Sequence, residues 1–497
     1  MKTNLLLITA DQWRGDCLSS LEHPVVKTPH LDALAAEGTL FEKHYANAVP
    51  CGPSRACLHT GMYLHNHRSG TNGTPLDLRF TNWAKELRGA GYDPVLFGYT
   101  HTAMDPRGLP LTDPRLQTDE GILPGITPLI DMGTHCRDWK AYLAELGYPV
   151  PDFDGATYGQ RDEDYRNPQH PKPMLYDAAH TDTAFLVSRA RQYISEQSSP
   201  WAVHLSLRAP HPPWVAPAPF NEHYPPASLP GCVRHDSTEA EAAVHPWLTE
   251  HLVGRNVSHA VDSRHRHLQA SYYGLMSEVD QRLGELVAWL KAEGRWDDTL
   301  FIFTSDHGEQ MGDHWMYGKA GFFEQSYHIP LIICGPGVAR DHRCTGFTEH
   351  VDILPTLMDC FDLALPRQCD GTSLVPLLSG GDGGRQAAHF EYDFRHSEAQ
   401  HTLSLDMESA CLNVIRDDHY KYVHFADLPA LLYDLRADPG ELHDVAPERP
   451  DVVARYAQEL LSWRLKTTDK TLSHYQVVRG EGLQTRGTSG TAQGSES

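Results

Sequence analysis

Five short runs of almost unbroken apolar residues recur along the chain: LLLIT (5–9), PVLFG (94–98), WAVHLSL (201–207), TLFIFT (299–304) and IPLIIC (329–334). Runs this short, without polar alternation, fit strands buried on both faces, which requires helices on both sides of one sheet. The intervening segments supply them. LDALAAEG follows the first run, FTNWAKELRGAG sets Trp83 and Leu87 one turn apart, and Tyr176 to Gln197 reads as a long helix. Tyr272, Met276, Val279, Leu283, Leu286 and Leu290 recur at helical spacing. This alternation predicts an α/β fold with a central sheet flanked by helices, whose functional residues belong at the C-terminal strand ends.

The 497 residues are divided by the turn-rich stretch SGGDGG (379–384). Residues 1–380 are expected to form the large domain and 381–469 a small sheet-plus-helix domain, built from AAHFEYDF, CLNVIRD, HYKYVHF, YDLRADPGE and the helix PDVVARYAQELLSWRL. From about Lys470 the composition turns to Gly, Ser, Thr and Gln, so 470–497, ending in RGTSGTAQGSES, is expected to be a disordered or inter-subunit tail. The 65 Asp and Glu against 42 Lys and Arg give a formal charge of −23, which argues against nucleic acid or an anionic membrane as the main partner. An anionic substrate would need a positive field built locally. The opening MKTNLLLITADQW is too short in apolar residues for a signal core or a membrane span. The ten cysteines contain no CxxC pair, so reduced thiols and a cytoplasmic location are expected.

Asp11 ends the first apolar run, and Asp306 with His307 ends a later one. Each reads singly as a cap or turn residue. Together, two carboxylates and an imidazole on neighbouring strand tips suit a divalent metal, the imidazole favouring Mn²⁺, Fe²⁺ or Zn²⁺ over Ca²⁺. In CGPSR, Cys51 precedes Pro53, which belongs in the first turn of a helix, and Arg55 lies one turn on. A helix start there would welcome an anion or a thiolate. A small thiol packed in a turn fits the same five residues.

The stretch Cys51-Gly52-Pro53-Ser54-Arg55, continued by Ala56-Cys57-Leu58-His59-Thr60-Gly61, closely resembles the sulfatase signature C-x-P-S-R-x-x-L-x-T-G, whose cysteine is oxidised after translation to formylglycine. The resemblance extends through ITADQWRGD, KTPHLDALAAEGTLFEKHYA, APHPPW (209–214), TSDHGE (304–309), YGKAGFFEQSYHIPLI, VDILPTL and YDLRADPGELHDVA. It implies the alkaline-phosphatase-like α/β fold and metal-dependent hydrolysis of an ester of a tetrahedral oxyacid, through a covalent intermediate on residue 51. By position, the implied metal ligands are Asp11, residue 51, Asp306 and His307, for Mn²⁺ or Ca²⁺ ahead of Zn²⁺ or Fe²⁺. Arg55 would fix the formylglycine hydrate, Lys319 contact the transferred group, Asp306 accept the attacking hydroxyl's proton, His211 serve as acid for the leaving group, and His101 as base for product expulsion.

Three departures from the family pattern narrow this. Gln12 stands where many sulfatases carry a second acid, leaving it as a neutral ligand or none. His307 replaces the usual Asn, and Tyr99 replaces the substrate-facing Lys of the family's G-K-x-H segment, while His101 is kept. With HNHRSGTNGTPLD (65–77) and Asn72 as a substrate contact, these look like the phosphonate monoester hydrolase branch, whose members also cleave sulfate monoesters and phosphodiesters. Trp214, Tyr99 and Phe322 are candidates for an apolar leaving-group pocket or for core. The resemblance also implies a formylglycine-generating enzyme as partner, and a homodimer or homotetramer with C-terminal segments, such as TLSHYQVV, crossing between subunits. Two other readings compete: a phosphomonoesterase or phosphomutase of the same superfamily with an unmodified nucleophile, and a non-catalytic binding protein on this fold.

Overall fold

The computed structural model describes residues 3–133, 135–151, 157–158, 173–198, 200–253, 262–469, 472–473 and 475–485. The apolar runs form strands β1 (Asn4–Ala10), β4 (Pro94–Gly98), β6 (Ala202–Leu207), β7 (Thr299–Thr304) and β8 (His328–Cys334). With β2 (Thr39–Tyr45), β5 (Thr127–Asp131) and β9 (His342–Glu349) they make one sheet in the order β5-β4-β6-β1-β7-β8-β2-β9. Strands β5, β4, β6, β1 and β7 run parallel, whereas β8 is antiparallel to both β7 and β2, so the sheet is mixed.

Side chains alternate between the two faces of this sheet. Leu6, Ile8, Val203, Leu205, Phe301 and Phe303 join a core covered by α1 (Pro29–Glu37) and the helices Asp182–Glu196 and Asp262–Ala292. Leu5, Leu7, Ala202, Leu300 and Ile302 face the opposite core. That face is covered by α2 (Cys51–Thr60), α4 (Trp83–Gly89) and the helix Ile353–Cys360. Continuous apolar strands are thus the direct consequence of helices on both sides.

A second sheet, in the order β13-β12-β11-β10-β3, joins β10 (Ala387–Asp393), β11 (Cys411–Asp417), β12 (Tyr420–Phe425) and β13 (Leu431–Asp434) to the two-residue β3 (Ala48–Val49). β3, pairing Ala48 with Glu391 and Val49 with Tyr392, is separated from Cys51, the first residue of α2, by Pro50 alone. The helix Pro450–Thr467 packs Val452, Tyr456, Leu460 and Trp463 against one face.

One expectation needs correction. The stretch from Tyr176 to Gln197 is not one helix: a 3₁₀ turn at Ala178–His180 precedes a helix that starts at Asp182, where the Thr181 side chain accepts from Ala184 N–H. In the expected tail, Tyr475–Val478 (β14) pairs with Gly482–Thr485 (β15), the turn between them using Gly480 and Gly482 at φ 83° and 82°. RGTSGTAQGSES lies outside the described residues.

The C-terminal helix is tied to the loop that leads toward the site. In α3 (Leu64–His67), His65 N–H and Nδ1 both meet Glu391 Oε2, at 3.1 and 3.0 Å, while Arg464 donates to Glu391 Oε1 at 2.7 Å. Burial favours protonating Glu391, but His65 and Arg464 outweigh it and hold the carboxyl at about 2. Against an unfolded value near 4.3, this contributes about 3 kcal/mol, fully present above about pH 4.5 and lost as pH falls toward 2. Urea unfolding of the wild type and Glu391→Gln should therefore differ most above pH 5, and the gap should close on acidification. A pH-independent gap would contradict this assignment.

Candidate active site

Because β4, β6, β1 and β7 are adjacent and parallel, their C-terminal ends share one edge of the sheet. That edge carries Tyr99 and His101 after β4, Arg208 and His211 after β6, Asp11 and Gln12 after β1, and Asp306 and His307 after β7. The helix α2 starts against it at Cys51, with Pro53 in its first turn, and ends at Gly61 in the left-handed region, φ 66°, whose N–H donates to Cys57 O. The Gly52 N–H donates to Asn72 Oδ1 at 2.9 Å. A Cβ at residue 52 would lie only 3.1 Å from that oxygen.

Arg55, fully buried, holds the edge together. Its Nε donates to Asp306 Oδ2 at 2.9 Å and its Nη2 to Asp11 Oδ2 at 3.1 Å, while Nη1 donates to Tyr99 O and Ser206 Oγ. Burial disfavours the Arg55 charge, yet Asp306, Tyr99 and Asp11 raise its pKa further above the usual arginine value. Burial would likewise raise Asp11, but His211, Arg55 and Lys319 hold it well below the usual carboxylate range.

Cys51 Sγ, Asp11, Asp306 and His307 offer four donor atoms within 4.8 Å of one another, all buried. His307 Nδ1 lies 2.9 Å from Gly308 O, and since a carbonyl only accepts, Nδ1 carries the proton and Nε2 turns its lone pair to the cluster. That Nε2 is 3.2 Å from Cys51 Sγ, 3.6 Å from Asp306 Oδ2 and 3.9 Å from Asp11 Oδ1. Asp11 Oδ1 is buried and has no hydrogen-bond partner. An orphaned carboxylate oxygen, a second carboxylate and a correctly tautomerised imidazole fit a divalent cation. The Cys51 thiol is pushed up to about 12, chiefly by burial, which disfavours a thiolate nucleophile.

The remaining candidates surround this cluster. Lys319 Nζ donates to Gln12 Oε1 at 2.7 Å and has no carboxylate within ion-pair distance among the described residues. Burial opposes its charge, but Cys51, Asp11 and Asp306 raise its pKa. Gln12, at φ 69°, has both ends of its amide engaged, since Nε2 donates to Glu309 Oε2. Tyr99 Oη donates to Asp11 Oδ2, and its ring lies 4.4 Å from the Arg55 guanidinium. His211 Nδ1 donates to Pro212 O at 2.6 Å, and burial pulls the ring down to about 3. His101 Nε2 is buried without a hydrogen bond, 3.6 Å from Asp119 Oδ2. Asn72 is exposed beside the helix start.

Phe322 is not a pocket residue: it is fully buried among Trp247, Phe323 and Phe425, on the core that underlies the second sheet. Trp214 packs with Tyr317 and Tyr272. Arg208, beside Tyr99, and two further residues of the site were not singled out from the sequence. Ser206, the penultimate residue of β6, holds Arg55, and Glu309 holds Gln12. Treating polar residues near strand ends as Asp11 was treated would have flagged Ser206.

The family profile described as sulfatase matches residues 3–363, and one described as N-sulphoglucosamine sulphohydrolase, C-terminal, matches residues 312–466. The chain is 39% identical to the multifunctional alkaline phosphatase superfamily protein PehA of Trinickia caryophylli, over 98% of this chain and 99% of that one. It is 27% identical to arylsulfatase K of Danio rerio, over 91% of this chain and 82% of that one. Among solved structures, the phosphonate monoester hydrolase of Agrobacterium radiobacter superposes with a TM-score of 0.94 at 43% identity, covering 98% of this chain and 100% of that one. Agreement along nearly the whole length of such relatives, and a profile running from the first strand through the helix Ile353–Cys360, mean that the chain belongs to the sulfatase family.

Proposed function

We propose that the protein hydrolyses sulfate monoesters, phosphonate monoesters and phosphodiesters of small alcohols or phenols, with residue 51 converted to formylglycine and one divalent metal, Mn²⁺, held by Asp11, residue 51, Asp306 and His307. The observation that carries the reading is the four-donor cluster at the first residue of α2, with Arg55 bridging both carboxylates. The imidazole ligand favours Mn²⁺ over Ca²⁺. When bound, the metal supplies Lewis acidity, lowering the pKa of a hydroxyl on residue 51 and drawing charge from an oxygen of the oxyacid. Formylglycine, as its hydrate, supplies one hydroxyl for attack and a second through which the product is released.

The chain's own groups do the rest. The Arg55 guanidinium orients Asp11 and Asp306, and Lys319, whose hydrogen-bond partner is a neutral amide, retains its charge for an oxyanion. His211, with Nδ1 tied to Pro212 O, leaves Nε2 to exchange a proton with the leaving oxygen. His101 serves the release step. Tyr99, lacking the family lysine's charge, supports phosphonate and phosphodiester substrates beside aryl sulfates. An unmodified nucleophile is disfavoured by the buried thiol, and a non-catalytic role by a complete donor set with its arginine. Cys51 is 3% exposed, so a formylglycine-generating enzyme must reach it before folding closes the site. The exposed Val477 and Leu483 of the β14–β15 hairpin support a homo-oligomer in which that hairpin meets another subunit.

Three outcomes follow. Peptide mass analysis of protein co-expressed with a modifying enzyme should find residue 51 as the aldehyde or hydrate, and Cys51→Ala should lower kcat/KM at least about 10⁴-fold without loss of fold. Full activity with an intact thiol would defeat the reading. Chelation should remove activity and lower thermal stability, by about 3 kcal/mol relative to metal at a hundredfold excess over its Kd. Tyr99→Lys should move the ratio of kcat/KM for an aryl sulfate over an aryl phosphonate monoester upward, by about tenfold for a gain of 1.4 kcal/mol.

A further inference from the structure

Glu309 is a fully buried carboxylate that the chemistry above does not use. No Lys or Arg among the described residues lies within ion-pair distance of it; N–H donors compensate it instead. Its Oε1 accepts from Met311 N–H at 2.8 Å and Gly318 N–H at 2.7 Å, and its Oε2 accepts from the Gln12 amide nitrogen. The other end of that amide, Gln12 Oε1, accepts from Lys319 Nζ. Since Gly318 immediately precedes Lys319, the bonds close a ring: Glu309 to Gln12, Gln12 to Lys319, and the backbone at Gly318 back to Glu309. Gln310 N–H donating to Gly318 O at 2.8 Å fixes the same turn from its other side.

The ring has a direction. Both Glu309 oxygens accept from N–H groups and the Lys319 ammonium can only donate, so the Gln12 NH₂ faces Glu309 and the Gln12 oxygen faces the ammonium. A glutamine at 309 could keep Oε1 on the two backbone N–H groups, but would then set an NH₂ against the NH₂ of Gln12. Gln12 would have to turn over and present donors to Lys319. Gln12 itself is held in the left-handed region by Asp306 Oδ1 on its N–H and by Tyr272 Oη on its carbonyl, so its backbone cannot move to accommodate the change.

We propose that Glu309 is the positioning residue for Lys319: through Gln12 and the Gly318 N–H it sets the place and partner of the ammonium that receives the substrate's oxyanion. This rests on the assignment of Lys319 to the transferred group made above. The test is calorimetric titration of the metal-loaded, modified enzyme with inorganic phosphate, alongside KM and kcat for an anionic aryl ester. Glu309→Gln should raise the phosphate Kd at least tenfold, with KM rising in parallel. The double variant Gln12→Glu with Glu309→Gln restores an acceptor facing Lys319 and a donor facing residue 12 at unchanged total charge, and should return Kd to within about threefold of wild type. If Glu309→Gln does not fold, Gln12→Met, which removes both amide bonds and leaves the backbone bonds of Glu309, should show the same tenfold loss at a metal content, measured on the same preparation, equal to wild type. Wild-type affinity in Glu309→Gln or in Gln12→Met, or a double variant no better than Glu309→Gln, overturns the proposal. Lys319→Ala separates the two levels: wild-type phosphate affinity there refutes the role of Lys319 itself, whereas weakened binding there with normal binding in Glu309→Gln refutes only the role of Glu309.

Discussion

The buried guanidinium of Arg55 is the contact on which the site depends. It joins a helix to the tips of two neighbouring strands by bonding Asp11 and Asp306 together, and a third strand through Ser206. Burying three such charges is costly unless geometry and hydrogen bonding are nearly complete. Here Arg55 makes four hydrogen bonds without leaving its pocket. Two carboxylates against one guanidinium leave the cluster one negative charge, which a divalent cation reverses to positive. Lys319 adds a second positive charge. A chain of formal charge −23 thereby gathers Arg55, Lys319 and Arg208 at the edge where an oxyanion would bind, and a divalent cation would add to that field.

Tyr99 is held by both a hydrogen bond and cation–π contacts. Its ring lies within 4.4 Å of the Arg55 guanidinium and 5.5 Å of that of Arg208, and its hydroxyl bonds Asp11. A lysine there would crowd a third cation against two arginines. The tyrosine supplies a hydrogen bond to Asp11 and an aromatic face to both guanidiniums.

What the sequence disclosed followed from strong, local signals. Unbroken apolar strands with acids at their ends located the sheet and Asp11, Asp306 and His307, and Pro53 located the start of α2. Strands β2 and β9 were not legible, because TLFEKHY and HRCTGFTE mix polar residues into their runs, and two-residue β3 carries no pattern at all. For Phe322, whose sequence context left pocket and core open, the structure selects core. The chain turns at Gly321, φ 89°, where a Cβ would lie 2.8 Å from the Trp247 ring, and Phe322 is sent into the other core. Glu309 stayed hidden because its role is to set the polarity of a neighbour's amide, which no spacing encodes.

The pairing of β3 with β10 sets a timetable for the nascent chain. Ala48 and Val49 gain their strand partners from residues more than three hundred positions later, so on the ribosome the segment carrying Cys51 emerges long before Glu391 and Tyr392 exist. At roughly 5–20 residues per second, that interval is on the order of tens of seconds. During it, β3, which lies one residue before α2, lacks its strand partner. Slow completion of a long-range contact, ordinarily a liability in folding, would under the proposed function lengthen the time in which Cys51 can be modified.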